Sequence, residues 1–188
     1  MHVPEPSAED IVMMKEKIQD ALCEQINAEI YSSYLYLSMS AHFESANLKG
    51  LAHWMRIQAQ EELVHVVKFF DFIHSRQGCV TLKPVEGPPT EWASPLDAFE
   101  AAYRHEGVIT ERIHKLVDLC LKHSDHATNQ FLQWFVSEQV EEEANADDVV
   151  QKLKLMGKDG QGLFLIDREL ATRVFTPPPG FGGAPAAA

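Results

Sequence analysis

Glu62 and His65 stand three residues apart in a run whose seam positions step by four and three: Leu51, Met55, Gln58, Glu62, His65, Phe69 and Phe72. That stepping is the inward seam of a packed helix, so two ionisable side chains point away from water. Residues three apart share a helix face, which lets a carboxylate and an imidazole grip one metal ion together. An unpartnered buried charge costs several kcal/mol and must be neutralised, paired or bound to metal, so the chain has to carry partners for these two groups.

Three further stretches carry the same interruption. Leu22, Glu29, Tyr36 and Phe43 repeat every seven residues, with Gln25, Ser32 and Met39 between them. Phe99, Ala102, Glu106, Ile109, Ile113 and Leu116 form a second apolar stripe broken only by Glu106. Leu132, Phe135, Gln139, Glu142, Ala146, Val149 and Leu153 form the last. Four long helices, each aiming an acid inward, constrain the chain to an all-α bundle with a polar centre.

The interruptions also reveal an internal repeat. Glu29 and Glu106, Glu62 and Gln139, and His65 and Glu142 are each 77 positions apart. This is the pattern of a pseudo-twofold bundle around two metals, in which one helix of each pair gives a Glu and the other a Glu-x-x-His. The second half departs from it, with Gln139 and Glu142 in place of Glu and His. Glu29, Glu62 and His65 are expected to hold one ion, and Glu62 to bridge to a second held by Glu106 and Glu142. Gln139 binds weakly or orients a water or oxygen ligand. Oxygen-rich, loosely completed coordination suits ions that must leave again. Glu61, Glu138 and Glu141, with Glu142, outline a third cation position beside the pair. A solvated acidic face is the plainer reading of the run Glu138, Glu141, Glu142 and Glu143. His53, His74, His105 and His114 are assigned to outer faces or contacts, and Met55 to packing.

Between the seams, the punctuation sets the topology. The first helix is expected over 8–40, capped by Ser7 with Asp10, and the second over 47–76. Residues 78–93 hold Pro84, Gly87, Pro88 and Pro89 and cannot be helical. A connector of this length crosses the bundle and leaves the third helix parallel to the second. Ser94-Pro95 opens that helix, which runs to about 123, and a turn at Ser124 or Asp125 leads into a fourth ending near Gly157. A flexible break at 157–162, a short fifth helix over 163–172 and a disordered Pro/Gly/Ala tail over 176–188 complete one domain spanning 1–188, after a loose lead at 1–7. The centre of the first helix, Tyr31 to Met39, is apolar on more than one face, which points to contacts with other subunits.

The formal charge of -12, from 28 acids against 16 bases, argues against nucleic acid or an anionic membrane as partner and suits a protein that handles cations, although a soluble acidic surface is the plainer reading of the charge alone. Cys23, Cys79 and Cys120 are odd in number and far apart, with no CxxC, so neither a disulfide framework nor a thiolate zinc site is expected. No apolar run reaches membrane-span length and residues 1–10 lack a secretory pattern, so the cytoplasm is the expected location.

Along 15–175 the chain resembles the bacterial and archaeal non-haem ferritins. The match rests on Asn27-Ala28-Glu29-Ile30-Tyr31-Ser32, Gln60-Glu61-Glu62-Leu63-Val64-His65, Tyr103-Arg104-His105-Glu106 and the segment from Phe131 to Glu143, FLQWFVSEQVEEE. The resemblance implies a ferritin-like four-helix bundle with a long crossover between helices 2 and 3 and a short fifth helix. It implies a ferroxidase centre at Glu29, Glu62, His65, Glu106, Gln139 and Glu142, and a third iron site at Glu61, Glu138, Glu141 and Glu142. Tyr36 matches the family's site tyrosine, a source of an electron or a hydrogen bond. The family further implies oxidation of Fe(II) by dioxygen or hydrogen peroxide, and storage of ferric mineral inside a homo-oligomeric shell of twenty-four subunits. Bacterioferritins place a haem-ligating methionine directly after the acid equivalent to Glu62. Leu63 stands there, so no haem is expected. The alternative is a rubrerythrin-like di-iron peroxidase without storage, against which the missing CxxC module counts. A DNA-protecting mini-shell would call for basic termini, and these hold almost no Lys or Arg. The Pro/Gly/Ala tail departs from the family.

Overall fold

The structure, a computed structural model, describes residues 14–157 and 160–177. It contains α1 (Glu16–Ser45), α2 (Lys49–Ser75), α3 (Pro95–Lys122), α4 (His126–Met156) and α5 (Gly160–Leu170), and no strand among the described residues. The all-α bundle with a short fifth helix expected from the sequence is the observed fold. At 30 residues, α1 is about 45 Å long.

Three of the helix boundaries differ from expectation by more than two residues. The Ser7 cap and the loose lead lie outside the described residues, but Lys15 is extended (ψ 136°) and α1 begins only at Glu16. Met14 is buried in the apolar cluster at that end, and the Lys15 ammonium donates to the His123 carbonyl (2.9 Å). At its other end α1 runs on past Ser40, whose hydroxyl donates to the Ala52 carbonyl of α2 (2.8 Å) and so does not compete with the helix backbone. The break expected at 157–162 is shorter, because Gly160 and Gly162 already belong to α5. All but the first two residues of the expected tail lie outside the described residues.

α1 and α2 form one antiparallel pair joined through Asn47, which takes the left-handed conformation (φ 58°), and α3 and α4 form the other, joined through Ser124 (φ 56°). Ser94 caps α3 by accepting from Asp97 N (3.1 Å), and Asp125 caps α4 by accepting from Thr128 N (3.1 Å). The connector between α2 and α3 climbs along α1. Cys79 N donates to Gln19, Asn27 donates to the Pro84 carbonyl and Ser38 to the Pro89 carbonyl. It thus spans most of α1 and delivers α3 parallel to α2, as its length requires.

The interior consists of two apolar clusters. One holds Tyr36, Met39, Phe43, Leu51, Met55, Phe99, Ala102 and Leu153; the other holds Ile18, Leu22, Ile26, Phe69, Ile113, Leu132 and Phe135. Every seam residue named from sequence is buried except Phe72, which is half-buried and stacks on Phe131 (3.9 Å between centroids). Between the clusters lies a polar layer drawn from all four helices: Gln25, Glu29, Ser32, Gln58, Glu62, His65, Glu106, Gln139 and Glu142.

α5 lies across the start of α2. Leu48 gives that helix no side-chain cap; Asp167 Oδ1 accepts from Gly50 N (2.8 Å) and Leu51 N (3.0 Å) instead. The approach is close enough that a Cβ at Gly50 would lie 1.6 Å from the Asp167 carbonyl oxygen, so only glycine fits there. This docking carries the chain after Leu170 back along α2, where Arg173 reaches it.

Candidate metal centre

Each acid reaches the centre because the seam is helical and apolar on both sides of it. Glu29 sits between Ile26 and Tyr36, Glu62 and His65 between Ala59 and Phe69, and Glu106 between Ala102 and Ile109, all at 0–2% exposure. The ligand atoms of Glu29, Glu62 and His65 lie within 4.8 Å of one another, and His65 Nδ1 is 3.3 Å from Glu62 Oε2. Gln25 donates to Glu29 Oε1 (2.8 Å), whereas Glu29 Oε2 is buried with no hydrogen-bond partner. An orphaned carboxylate oxygen in a dry site is costly unless a proton or a cation meets it, and Glu62 and His65 lie close enough to Glu29 to share one.

Glu106 closes the other side. It accepts a hydrogen bond from the Tyr36 hydroxyl, and Gln139 Nε2 donates to its Oε2 (3.3 Å) and to Thr110 Oγ1 (3.3 Å). Gln58 donates both to Glu142 Oε2 (2.5 Å) and to Glu62 Oε1 (3.3 Å), tying α2 to α4 across the layer. The side-chain oxygen of Gln58 (Oε1), like Glu29 Oε2, has no hydrogen-bond partner.

Crowded acids in a dry layer hold their protons. Burial, then repulsion by Glu62, raises Glu29 to about 8. Burial and Glu62 raise Glu106 to about 8 as well, and burial and Glu106 raise Glu142 to about 8. Glu62 is pushed well above the usual carboxylate range by burial and then by Glu142. Burial and Glu106 likewise lift Tyr36, so its phenol stays protonated and donates. A divalent cation reverses this balance by stabilising the charged forms. The donor set, one imidazole among hard carboxylate oxygens, matches a first-row divalent ion.

The residues expected at a third cation position are arranged differently from that expectation. His65, Glu138 and Glu142 form a second cluster with ligand atoms within 4.8 Å. Glu61 and Glu141 line the same cavity, of about 370 Å³, but Glu61 is engaged by the guanidinium of Arg173. Burial, the largest influence on both, raises Glu61 and Glu138 above the usual range.

Sequence reasoning passed over several contributors. Gln25 and Gln58 have no role in the seam pattern itself, although each stands four residues before an acid and so on its face. His105, expected on an outer face or at a contact, is half-buried and packs against Tyr31 and Tyr36 (5.8 and 6.1 Å between centroids) with Nε2 2.7 Å from Ser32 Oγ. Arg112 enters from α3 to donate to Gln25 Oε1 (3.1 Å). Thr110 and Arg173 left no signal in the spacing.

Comparison with known proteins bears on the family and the fold. Residues 19–156 match the ferritin family, described as a ferritin-like domain. The chain is 44% identical over 161 residues to a bacterial non-heme ferritin of Bacteroides fragilis, covering 86% of this chain and all of that one. A bacterial non-heme ferritin of Escherichia coli O157:H7 is 40% identical, over 85% of this chain and 97% of its own. Among solved structures, an open-pore ferritin from the hyperthermophilic archaeon Archaeoglobus fulgidus is 55% identical, with a TM-score of 0.85 over 86% of this chain and 98% of that one.

Proposed function

This chain belongs to the ferritin family, and from that premise we propose that it stores iron and oxidises Fe(II) at the centre of each bundle. Two ferrous ions are the substrate. Glu29, Glu62 and His65 bind one; Glu62 bridges to the second, which Glu106 and Glu142 hold, with Gln139 directing an oxygen ligand. Attraction from the clustered carboxylates offsets the ions' loss of water, and the protons held on these acids leave as the cations enter. Each ion then gives one electron to dioxygen or hydrogen peroxide. Tyr36 holds Glu106 in position through its hydroxyl. A third cation binds at Glu61, Glu138, Glu141 and Glu142 once Glu61 is free, on the way to a ferric mineral.

One observation carries this reading: Glu29, Glu62 and His65 bring ligand atoms within 4.8 Å of one another in a buried layer of crowded acids, which a bound cation would hold in their charged form. Storage needs a cavity that one bundle lacks, so the proposal includes a hollow homo-oligomeric shell of twenty-four copies. Tyr34, Leu37, Leu63, Val67 and Phe70, exposed on α1 and α2, are apolar surface suited to contact between copies. None of the helices among the described residues is long and apolar enough to cross a membrane, and we place the protein in the cytoplasm.

The test is aerobic Fe(II) oxidation by Glu62→Ala and His65→Ala. Both should lose the fast phase while keeping their helical circular dichroism; unchanged rates would remove the assignment. The rubrerythrin-like reading, a peroxidase without storage, predicts saturation near two irons per subunit, whereas a store keeps loading.

A further inference from the structure

The cavity beside the dinuclear centre holds a cation of its own. After α5 the chain turns back along α2, and residues 173–176 line the cavity together with Glu138, Glu141 and Glu142. Arg173 is fixed there from four directions. Its Nη2 donates to Glu61 Oε2, its Nη1 to the Trp54 carbonyl (3.4 Å), its guanidinium carbon lies 4.3 Å from the Trp54 ring centroid, and its own carbonyl accepts from His53 Nε2 (2.8 Å). Arg173 and Glu61 are 17% and 21% exposed, so water screens the pair only partly. On the far side, Lys68 stacks on Trp134 (3.9 Å), within the field of Glu138.

We propose that Arg173 is a built-in competitor for the third cation. Its guanidinium neutralises Glu61 while that position is vacant, and a metal ion binding there must displace it and loosen the strap formed by residues 171–177. Iron occupancy and the seating of the strap thereby become two readings of one equilibrium. The geometry favours a competitor over a purely structural pair. The guanidinium binds a carboxylate that lines the same cavity as the His65, Glu138 and Glu142 cluster, and cation–π and backbone contacts hold it ready to return. The proposal rests on the ferroxidase reading of this centre.

Anaerobic Fe(II) titration calorimetry on the full-length assembled protein tests it, comparing wild type with Arg173→Gln and Arg173→Lys. The first two ions should bind each protein alike. The third should bind Arg173→Gln about tenfold tighter, the scale of one charge-assisted hydrogen bond relieved. Arg173→Lys, which keeps the charge and loses the fork, should fall between. Hydrogen exchange on wild type gives a readout that needs no variant: exchange in 171–177 should quicken on the third equivalent of Fe(II) and not on the first two. Equal third affinities in wild type and Arg173→Gln overturn the proposal, as does strap exchange indifferent to the third equivalent. Absence of the first two binding events in all three proteins overturns the ferroxidase reading itself, and the proposal with it.

Discussion

The hydroxyl of Tyr36 donates to Oε1 of Glu106, joining α1 to α3 across the middle of the bundle. Tyr36 belongs by its ring to one apolar cluster and by its oxygen to the acid layer. Replacing it with phenylalanine keeps the ring and leaves Glu106 with Gln139 as its remaining side-chain donor. Tyr36→Phe should cost about 1 kcal/mol of metal-free stability and slow Fe(II) oxidation, because Glu106 is no longer held toward the second ion. Chemical denaturation and stopped-flow oxidation measure the two effects separately.

The raised acids fix how metal-free stability depends on pH. Glu29, Glu106 and Glu142 titrate near 8 when folded against 4.5 as ordinary carboxyls. The folded state therefore binds more protons than the unfolded one between those values, and stability falls as pH rises through that window. Chelator-treated protein should melt at progressively lower temperature from pH 4.5 toward about 8. Added Fe(II), under anaerobic conditions, should restore more at the alkaline end. A flat profile in scanning calorimetry would contradict the burial and crowding described here.

Removing one crowded acid should separate stability from function. Glu29→Gln preserves shape and takes away a carboxylate held at high energy at pH 8. The metal-free variant should gain on the order of 2 kcal/mol there while losing tight binding of the first ion. Thermal melts with and without chelator decide this, since a loss of stability in the metal-free variant would mean that the acid is not strained by its surroundings.

The cap that α5 supplies to α2 is testable without iron. Asp167→Ala removes the acceptor for two amides at a helix start and should cost about 1 kcal/mol. Gly50→Ala places a methyl against the Asp167 carbonyl and should undock α5 more severely. Both should raise hydrogen exchange in α5 and the strap behind it while sparing α3, which a general loss of stability would not.

Much of this arrangement was legible in the sequence, because helical periodicity exposes any polar residue that breaks an apolar seam. Glu29, Glu62, His65, Glu106, Gln139 and Glu142 could be placed on inward faces by spacing alone, and a proline-bearing connector too long for a hairpin implied that α3 runs parallel to α2. Only the tertiary structure decided which neighbours those side chains take. Gln58 spans from Glu62 to Glu142, and Arg173 lies more than a hundred residues from the Glu61 it engages. Its place depends on how α5 docks against Gly50. Periodicity is a property of one helix and its register, whereas ion pairing across a cavity depends on the relative placement of whole helices, which no local pattern encodes.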